Sequence, residues 1–417
     1  MNVQTGTMRG ARERLLEVAR DLLSHARAGT TPLAPDIVEL DAALYTDPER
    51  FEREKRLIFR RLPLMLAASC ELRRPGDYKT LEVAGVPVLL VRGKDGAARA
   101  FLNVCTHRGA LVADGCGNAS RFVCPYHGWT FDGTGALVGV ASRGDFGPVD
   151  VDAKGLRPFP LLERAGLIWV VLDPESTLDI GTFLAGYDVM LEEFGLESWH
   201  VLESRTLVGA NWKLAFDAHM DFYHLPVLHK ASFGPRISPK AFYYHWGPHQ
   251  RLTRPEKPEH RIMPAHANLF GLAERPETDW TNEAMLLGEW ILFPHVSLNS
   301  FYDGGRGVLI SQIFPGDTVD TSYTVQLYLV AEALDGERRE AASRMAAFLA
   351  HVVNDEDLPT SVRQQRALES GLLPKVCFGR NEGGNQQFHR WLDRIMETGD
   401  SGLDALFRDG IGKEDMR

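Results

Sequence analysis

A chain of 417 residues is longer than one hydrophobic core usually serves, so two domains are expected. An apolar fraction of 44% and a net charge of −10 without any Lys/Arg-rich run describe an ordinary globular protein and exclude a nucleic-acid footprint. Five cysteines are too few, and odd in number, for a disulfide scaffold, and no run of eighteen apolar residues is present to span a bilayer. The N-terminus interrupts its apolar positions with Arg and Glu, unlike a secretory leader, so a cytoplasmic location is expected.

Residues 10–27 place Leu15, Val18, Ala19, Leu22, Leu23 and Ala26 on one helical face, a packing or subunit-contact helix. A linker (29–35) and a second helix over 47–60 follow. Short strands come next, Tyr78–Val83, Val86–Arg92 and Ala100–Val104, with turns at Ala84-Gly85 and Lys94-Asp95-Gly96. Phe131–Leu137 and Leu167–Leu172 close this antiparallel β region, which ends near Asp173-Pro174. Beyond residue 180 the pattern predicts a helix over Phe183–Phe194, a strand over Ser204–Ala210 and an irregular segment from His245 to Asp279. Strands resume over Trp290–Phe301, Gly307–Phe314 and Ser322–Glu332, followed by a helix from Gly336 to Asn354 and another over Val362–Leu368. The division that results is 1–44, a helical extension; 45–178, a β domain; and 179–417, a larger α+β domain.

The β domain carries Cys105-x-His107, a sixteen-residue gap, and Cys124-x-x-His127. Two thiolates and two imidazoles in that spacing suit a [2Fe–2S] centre with one iron held by Cys and the other by His. Gly109 and Gly128 let the two loops approach a bulky cluster, and Pro125 stiffens one of them. A structural zinc site is the competing reading, but such sites more often show C-x-x-C spacing. Cys116, between the loops, has no matching partner and reads as a packed or loop thiol.

A second constellation lies in residues 211–230, NWKLAFDAHMDFYHLPVLHK, where Asp221, His224 and His229 are spaced 0, +3 and +8. Two imidazoles and a carboxylate with open positions are the ligand set of a mononuclear Fe(II) that activates O₂. Leu225-Pro226 sets His229 beyond a helix break, from which it can return to the same metal. Alone, two histidines five apart are more often packed or surface residues; beside a one-electron centre they become its acceptor site. Phe216, Asp217, Met220, Phe293, His295 and Asn299 are pocket candidates, though each reads more readily as core or scaffold. His219 is out of ligand register, and His245, His249, His260 and His266 read as loop residues in solvent.

CTHRG, CPYHGW and NWK…D-x-x-H-x-x-x-x-H together resemble the Rieske non-haem iron oxygenases, catalytic α subunit, over about residues 45–395, including FGRNEGGNQQFHRW at 378–391. The resemblance implies an N-terminal Rieske antiparallel β domain and a C-terminal helix-grip (START/Bet v1-like) domain, a curved sheet wrapped on a long helix. It implies Cys105, His107, Cys124 and His127 as ligands of the [2Fe–2S] cluster, His224 and His229 as ligands of the mononuclear Fe(II), and Asp221 as the carboxylate linking the two centres. The third iron ligand would be acidic, on a late helix and followed by Gln: Asp357 is assigned within Asn354-Asp-Glu-Asp357…Gln365, with Asp355 and Glu356 open because Pro359 follows so closely. No G-x-G-x-x-G fingerprint follows a strand, so electrons are expected from a separate NAD(P)H-dependent reductase, with or without a ferredoxin. The resemblance also implies a homotrimer in which one chain's cluster faces the next chain's iron; a small β subunit remains open. The favoured activity is cis-dihydroxylation of an aromatic or polycyclic apolar substrate. The alternative is a monooxygenase or demethylase of a methoxy, N-methyl or quaternary-amine substrate, for which Trp212, Tyr243, Tyr244 and Trp246 could supply a cation cage. A protein that only carries electrons would need about the first third of the chain and would leave Asp221, His224 and His229 unexplained.

Overall fold

The computed structural model describes residues 10–253, 269–302 and 305–411. The first helix, Ala11–Ala28, ends where Gly29 adopts a left-handed φ of 66°. Its buried face is Leu15, Leu16, Val18, Ala19, Leu22 and Leu23, laid against the Asp188–Leu191 and Asn282–Met285 helices, so the packing role accounts for it. Strand Val38–Asp41 then pairs antiparallel with Lys375–Phe378 near the other end of the chain.

The expected 47–60 helix is an α-helix over Pro48–Glu54, capped by Asp47, that runs into a π-turn over Lys55–Phe59. Strand Pro63–Ala68, buried along its whole length, was not legible as a strand because it lacks polar alternation. It pairs with Leu167–Val171. The predicted strands around the cluster loops form a five-stranded antiparallel sheet, in which Asp77–Val83, Val86–Arg92 and Ala98–Leu102 are consecutive neighbours. The 131–137 segment is two short strands, Thr130–Asp132 and Leu137–Gly139, because Asp132 Oδ1 accepts from the Thr134 and Ala136 N–H groups and turns the chain.

Seven antiparallel strands build the second sheet, in the order His200–Gly209, Ser322–Val330, Arg306–Pro315, Val296–Tyr302, Gly288–Leu292, His249–Thr253 and Phe242–Trp246. Three expectations are corrected here. The 290–301 strand is two strands joined by the Phe293-Pro294-His295 turn. The 183–194 helix is two short turns separated by Ala185 and Gly186, both at positive φ. His245 and His249 are strand residues, not loop residues, His249 fully buried and His245 half-buried; burial drives the His249 pKa down to about 4 and that of His245 to about 3. His260 and His266 lie outside the described residues.

One sheet face packs on the Rieske-like part: Gln312 Nε2 donates to Met65 O at 2.7 Å, and Trp290, Leu298, Ile310 and Leu327 are buried. The other face is covered by the Trp212–Asp217 and Gly336–Val352 helices. A late helix, Gly383–Glu397, buries Phe388, Trp391, Leu392 and Ile395; its two leading glycines hid it from a propensity reading.

The NWK tripeptide fixes the helix that leads to the second constellation. Asn211 caps it through the Lys213 N–H and donates from Nδ2 to Tyr45 O and Val319 O. Trp212 Nε1 (2.9 Å) and Lys213 Nζ (2.5 Å) both donate to Glu54 Oε2, and Glu54 and Lys213 are sealed from solvent. Removing one member of a buried pair leaves an uncompensated charge. Glu54→Ala is therefore expected to cost roughly 3–5 kcal/mol, read as a lowered midpoint of chemical unfolding.

Candidate active site: two sets of metal donors

In the β domain the Cys105–Gly109 and Cys124–Gly128 loops are built alike. Gly109 N–H donates to Cys105 O at 2.9 Å and Gly128 N–H to Cys124 O at 3.0 Å, and both glycines take positive φ, 83° and 68°. The two thiols lie inside a small core with Phe122, Trp129 and Phe131. Burial raises the Cys105 pKa, opposed by the backbone N–H groups of His107 and Arg108 aimed at its sulfur. Such N–H groups suit a thiolate that ligates iron. His107 and His127 stand half-buried at the outer edge, ring centroids 4.8 Å apart. Trp129 stacks on His107 at 4.9 Å, and Phe146 abuts both of those rings edge-on. Among the described residues the four donors do not converge within single-ion distance of one another, whereas a tetrahedral zinc site requires that they do. Cys116 lies exposed on a short strand, Cys116–Asn118, beside Asp77–Lys79.

The second set does converge. One donor atom each from His224, His229 and Asp357 fall within 4.8 Å of one another. His224 precedes, and His229 follows, a one-turn helix, Leu225–Leu228, with Pro226 in its first turn; the turn itself, and not a break, brings the two rings together. Asp357 Oδ1 lies 3.3 Å from His229 Nε2 and 3.7 Å from His224 Nε2, buried and without a hydrogen-bond donor. A buried carboxylate oxygen with no proton donor, facing two ring nitrogens, fits a cation at their common centre.

The opposite ring nitrogens are held by other carboxylates. His224 Nδ1 donates to Asp221 Oδ2 at 3.0 Å, and His229 Nδ1 to Glu356 Oε2 at 2.5 Å, an oxygen that also accepts from Ser232 Oγ. Both Nδ1 atoms carry the proton, so both Nε2 lone pairs are free for a metal. This settles how the three acidic neighbours are disposed: Asp357 faces the donor centre, Glu356 backs His229, and Asp355 pairs with exposed His351. Successive helical residues point in different directions, and these three fall in the Val353–Asp357 π-turn between the Gly336–Val352 and Leu358–Leu368 helices. Pro359 sits in the first turn of the second helix, where its missing N–H costs nothing.

Of the pocket candidates, Asn299 is half-buried on the sheet face that the catalytic helices cover, and Met220 lies beside Gln250 of that face. Phe216 and Phe293 pack on Phe388 in the core. His295 is buried against Phe59 and Phe314, its pKa pushed down to about 3 by burial, and is core. Asp217 accepts from Tyr45 Oη (2.5 Å) and His389 Nε2 (3.0 Å), a buried brace. No aromatic cage forms from the expected four: Trp212 packs on Phe59, Tyr244 bonds Asp21 and Trp246 stacks near Tyr187, while Tyr243 alone shares the covered face.

That face is polar. Cross-strand register puts Glu289, Asn299, Leu309 and Tyr328 in one row and Ser297, Ser311, Gln326 and Arg205 in the next. Ser297, Ser311, Gln326 and Glu289 are all buried. Sequence reasoning passed over Glu289, although a Glu between apolar neighbours in GEWIL, read at period two, marks it.

Residues 63–150 match the Rieske [2Fe–2S] domain model, and residues 196–398 match the ring hydroxylating alpha subunit catalytic domain model. The chain is 29% identical over 390 residues to the 2-aminobenzenesulfonate 2,3-dioxygenase subunit alpha of Alcaligenes sp, covering 86% of this chain and 93% of the relative. It is 28% identical over 374 residues to the carnitine monooxygenase oxygenase subunit of Escherichia coli strain K12, covering 86% and 94%. The fold superposes on a crystal structure of a quaternary ammonium Rieske monooxygenase bound to an inhibitor with a TM-score of 0.74, at 23% identity, over 87% of this chain and 97% of that one. The chain belongs to the Rieske non-haem iron oxygenases, as an α subunit with an N-terminal Rieske domain and a C-terminal catalytic domain. It is an oxygenase that uses O₂, a [2Fe–2S] cluster and a mononuclear iron. Among the described residues no helix is long and apolar enough to cross a membrane.

Gly234 shows how tightly the turn that carries His229 is packed. A Cβ there would meet Leu225 O at 2.4 Å and His229 O at 2.8 Å, both backbone atoms that cannot give way. Gly234→Ala is expected to displace His229 and lower retention of the mononuclear metal by tenfold or more, with the visible spectrum of the cluster unchanged; metal analysis after dialysis checks this.

Proposed function

We propose that this chain is the oxygenase component of a Rieske monooxygenase acting on a quaternary-amine substrate. The polarity of the covered sheet face supports this: an apolar polycycle would leave Glu289, Ser297 and Ser311 desolvated against it, whereas a charged, hydrogen-bonding substrate would not. The similarity to a carnitine monooxygenase over most of both chains points the same way. The cis-dihydroxylation of an apolar ring, favoured on motifs alone, has less support.

In this reading Cys105 and Cys124 hold the inner iron of the cluster and His107 and His127 the outer one, while His224, His229 and Asp357 hold the mononuclear iron. The division at residues 45 and 178 separates the two centres along the chain. When bound, the cluster passes single electrons and the iron activates O₂ beside the substrate. Asp221 fixes the His224 tautomer with Oδ2, and Oδ1 takes the Tyr223 N–H. Being half-buried, it can also accept from His127 of a neighbouring copy, in a trimer where centres meet between subunits. Apolar exposure on both sides supports such a contact: Tyr126 (59%) and Leu111 (50%) flank the cluster loops, and Tyr223 (59%) and Val227 (74%) flank His224. Electrons come from a separate NAD(P)H-dependent reductase.

A specific observation favours a second reading, a polar aromatic amine: the 29% identity to the 2-aminobenzenesulfonate dioxygenase subunit. One experiment separates them. Reduced, iron-loaded protein is given a single turnover under ¹⁸O₂ with carnitine, glycine betaine, 2-aminobenzenesulfonate and naphthalene. The proposal expects one labelled oxygen in the product of a quaternary amine. Two labelled oxygens in an aromatic product, with none in the amines, would overturn it.

A further inference from the structure

The interior of the catalytic domain holds a carboxylate that the metal sites do not use. Glu289 is 4% exposed, on the strand Gly288–Leu292, and points to the face covered by the catalytic helices. Ser297 Oγ donates to Glu289 Oε1 and Asn299 Nδ2 to Glu289 Oε2. His219 Nδ1 stands 3.6 Å from Oε1. Although burial raises the pKa of Glu289, these neighbours more than offset it and hold the carboxyl below its ordinary range, hence ionised. Among the described residues no Lys or Arg pairs with it, so an interior negative charge is balanced only by neutral donors and one imidazole.

Two further observations direct this charge toward a ligand. Gln250, fully buried, lies in the adjoining row of the same face, opposite Ile291, and its Oε1 has no hydrogen-bond donor. The face thus carries, on neighbouring strands, an ionised carboxylate and an acceptor without a donor, groups that a cation satisfies and an anion or apolar ring does not. His219, in turn, lines a cavity of about 50 Å³ together with Ala215, Ala218, Thr324, Val353 and Asp357. Asp357 and the histidine that approaches Glu289 therefore line one cavity.

We propose that Glu289 is the anionic anchor for the quaternary ammonium group of the substrate, with Gln250 and Asn299 beside it and His219 as the side chain that yields to admit it. This rests on the quaternary-amine reading above and names the residue that enforces it. Glu289 does not itself line this cavity, and the His219 ring stands between the cavity and the carboxylate side, so contact between substrate and Glu289 needs the His219 ring to rotate away. An attraction between the fixed carboxylate and the cation sets which end of the substrate lies deep.

The test is calorimetric binding to the holoenzyme of carnitine and of its neutral isostere, with tert-butyl in place of trimethylammonium. The wild-type chain is expected to prefer the cation by about tenfold or more, equivalent to about 1.4 kcal/mol. Glu289→Gln should bind the two within about threefold of each other, with cluster spectrum and iron content unchanged, while Glu289→Asp keeps the preference. Asn299→Lys, at a half-buried position, supplies an internal cation and should abolish the preference even if Glu289→Gln does not fold. A preference that survives in either Glu289→Gln or Asn299→Lys overturns the anchor and leaves the quaternary-amine reading standing. A wild-type chain that binds no quaternary amine, or binds both ligands alike, overturns that reading and the anchor with it.

Discussion

The catalytic half of the molecule depends on one arrangement: three carboxylates acting on two imidazoles. Asp221 and Glu356 take the Nδ1 protons of His224 and His229, which leaves both Nε2 lone pairs turned toward Asp357 Oδ1. Without the rear carboxylates each ring could flip or change tautomer, and the donor set would lose its direction. Asp357 Oδ1 is a buried acceptor without a donor, a cost of about 1–3 kcal/mol that a cation removes.

The surrounding elements keep that arrangement in place. The Trp212–Asp217 helix leads into the turn that carries His224 and His229, and it is pinned through Trp212 and Lys213 to Glu54 on a helix that precedes residues 63–150. The residues that precede the cluster loops therefore help to hold the catalytic domain. Strand Pro63–Ala68 packs behind the catalytic sheet through Gln312, and one continuous apolar core runs from the N-terminal helix to the sheet. The cluster loops, by contrast, close over their own small core of Phe122, Trp129 and Phe131. Two cores of unequal size suit the two tasks: a rigid chemical chamber, and a tip whose histidine edge faces outward.

Much of this was legible in the residues. Cys105, His107, Cys124 and His127 have spacing and glycines that suit few other purposes, and the strands near them alternate clearly. His224 and His229 were weaker alone and gained meaning from the cluster motif. What escaped reading has physical reasons. Asp355, Glu356 and Asp357 could not be told apart, because a π-turn changes which residue faces inward and sequence periodicity assumes the α-helical angle. His245 and His249 read as solvated because their segment is rich in Pro and charge, yet they lie in paired strands, with His249 fully buried. Glu289 was missed because its importance lies in cross-strand register with Ser297 and Asn299, a long-range property.

The most direct test of the account is metal analysis of two neighbouring variants, Asp357→Ala and Glu356→Ala, after reconstitution with Fe(II). The account predicts that Asp357→Ala retains the cluster and loses the mononuclear iron. Glu356→Ala should retain both, with mononuclear iron affinity lowered by roughly 10–100-fold, the usual cost of removing a carboxylate behind a metal-bound histidine. The reverse pattern, iron kept without Asp357 and lost without Glu356, would contradict it.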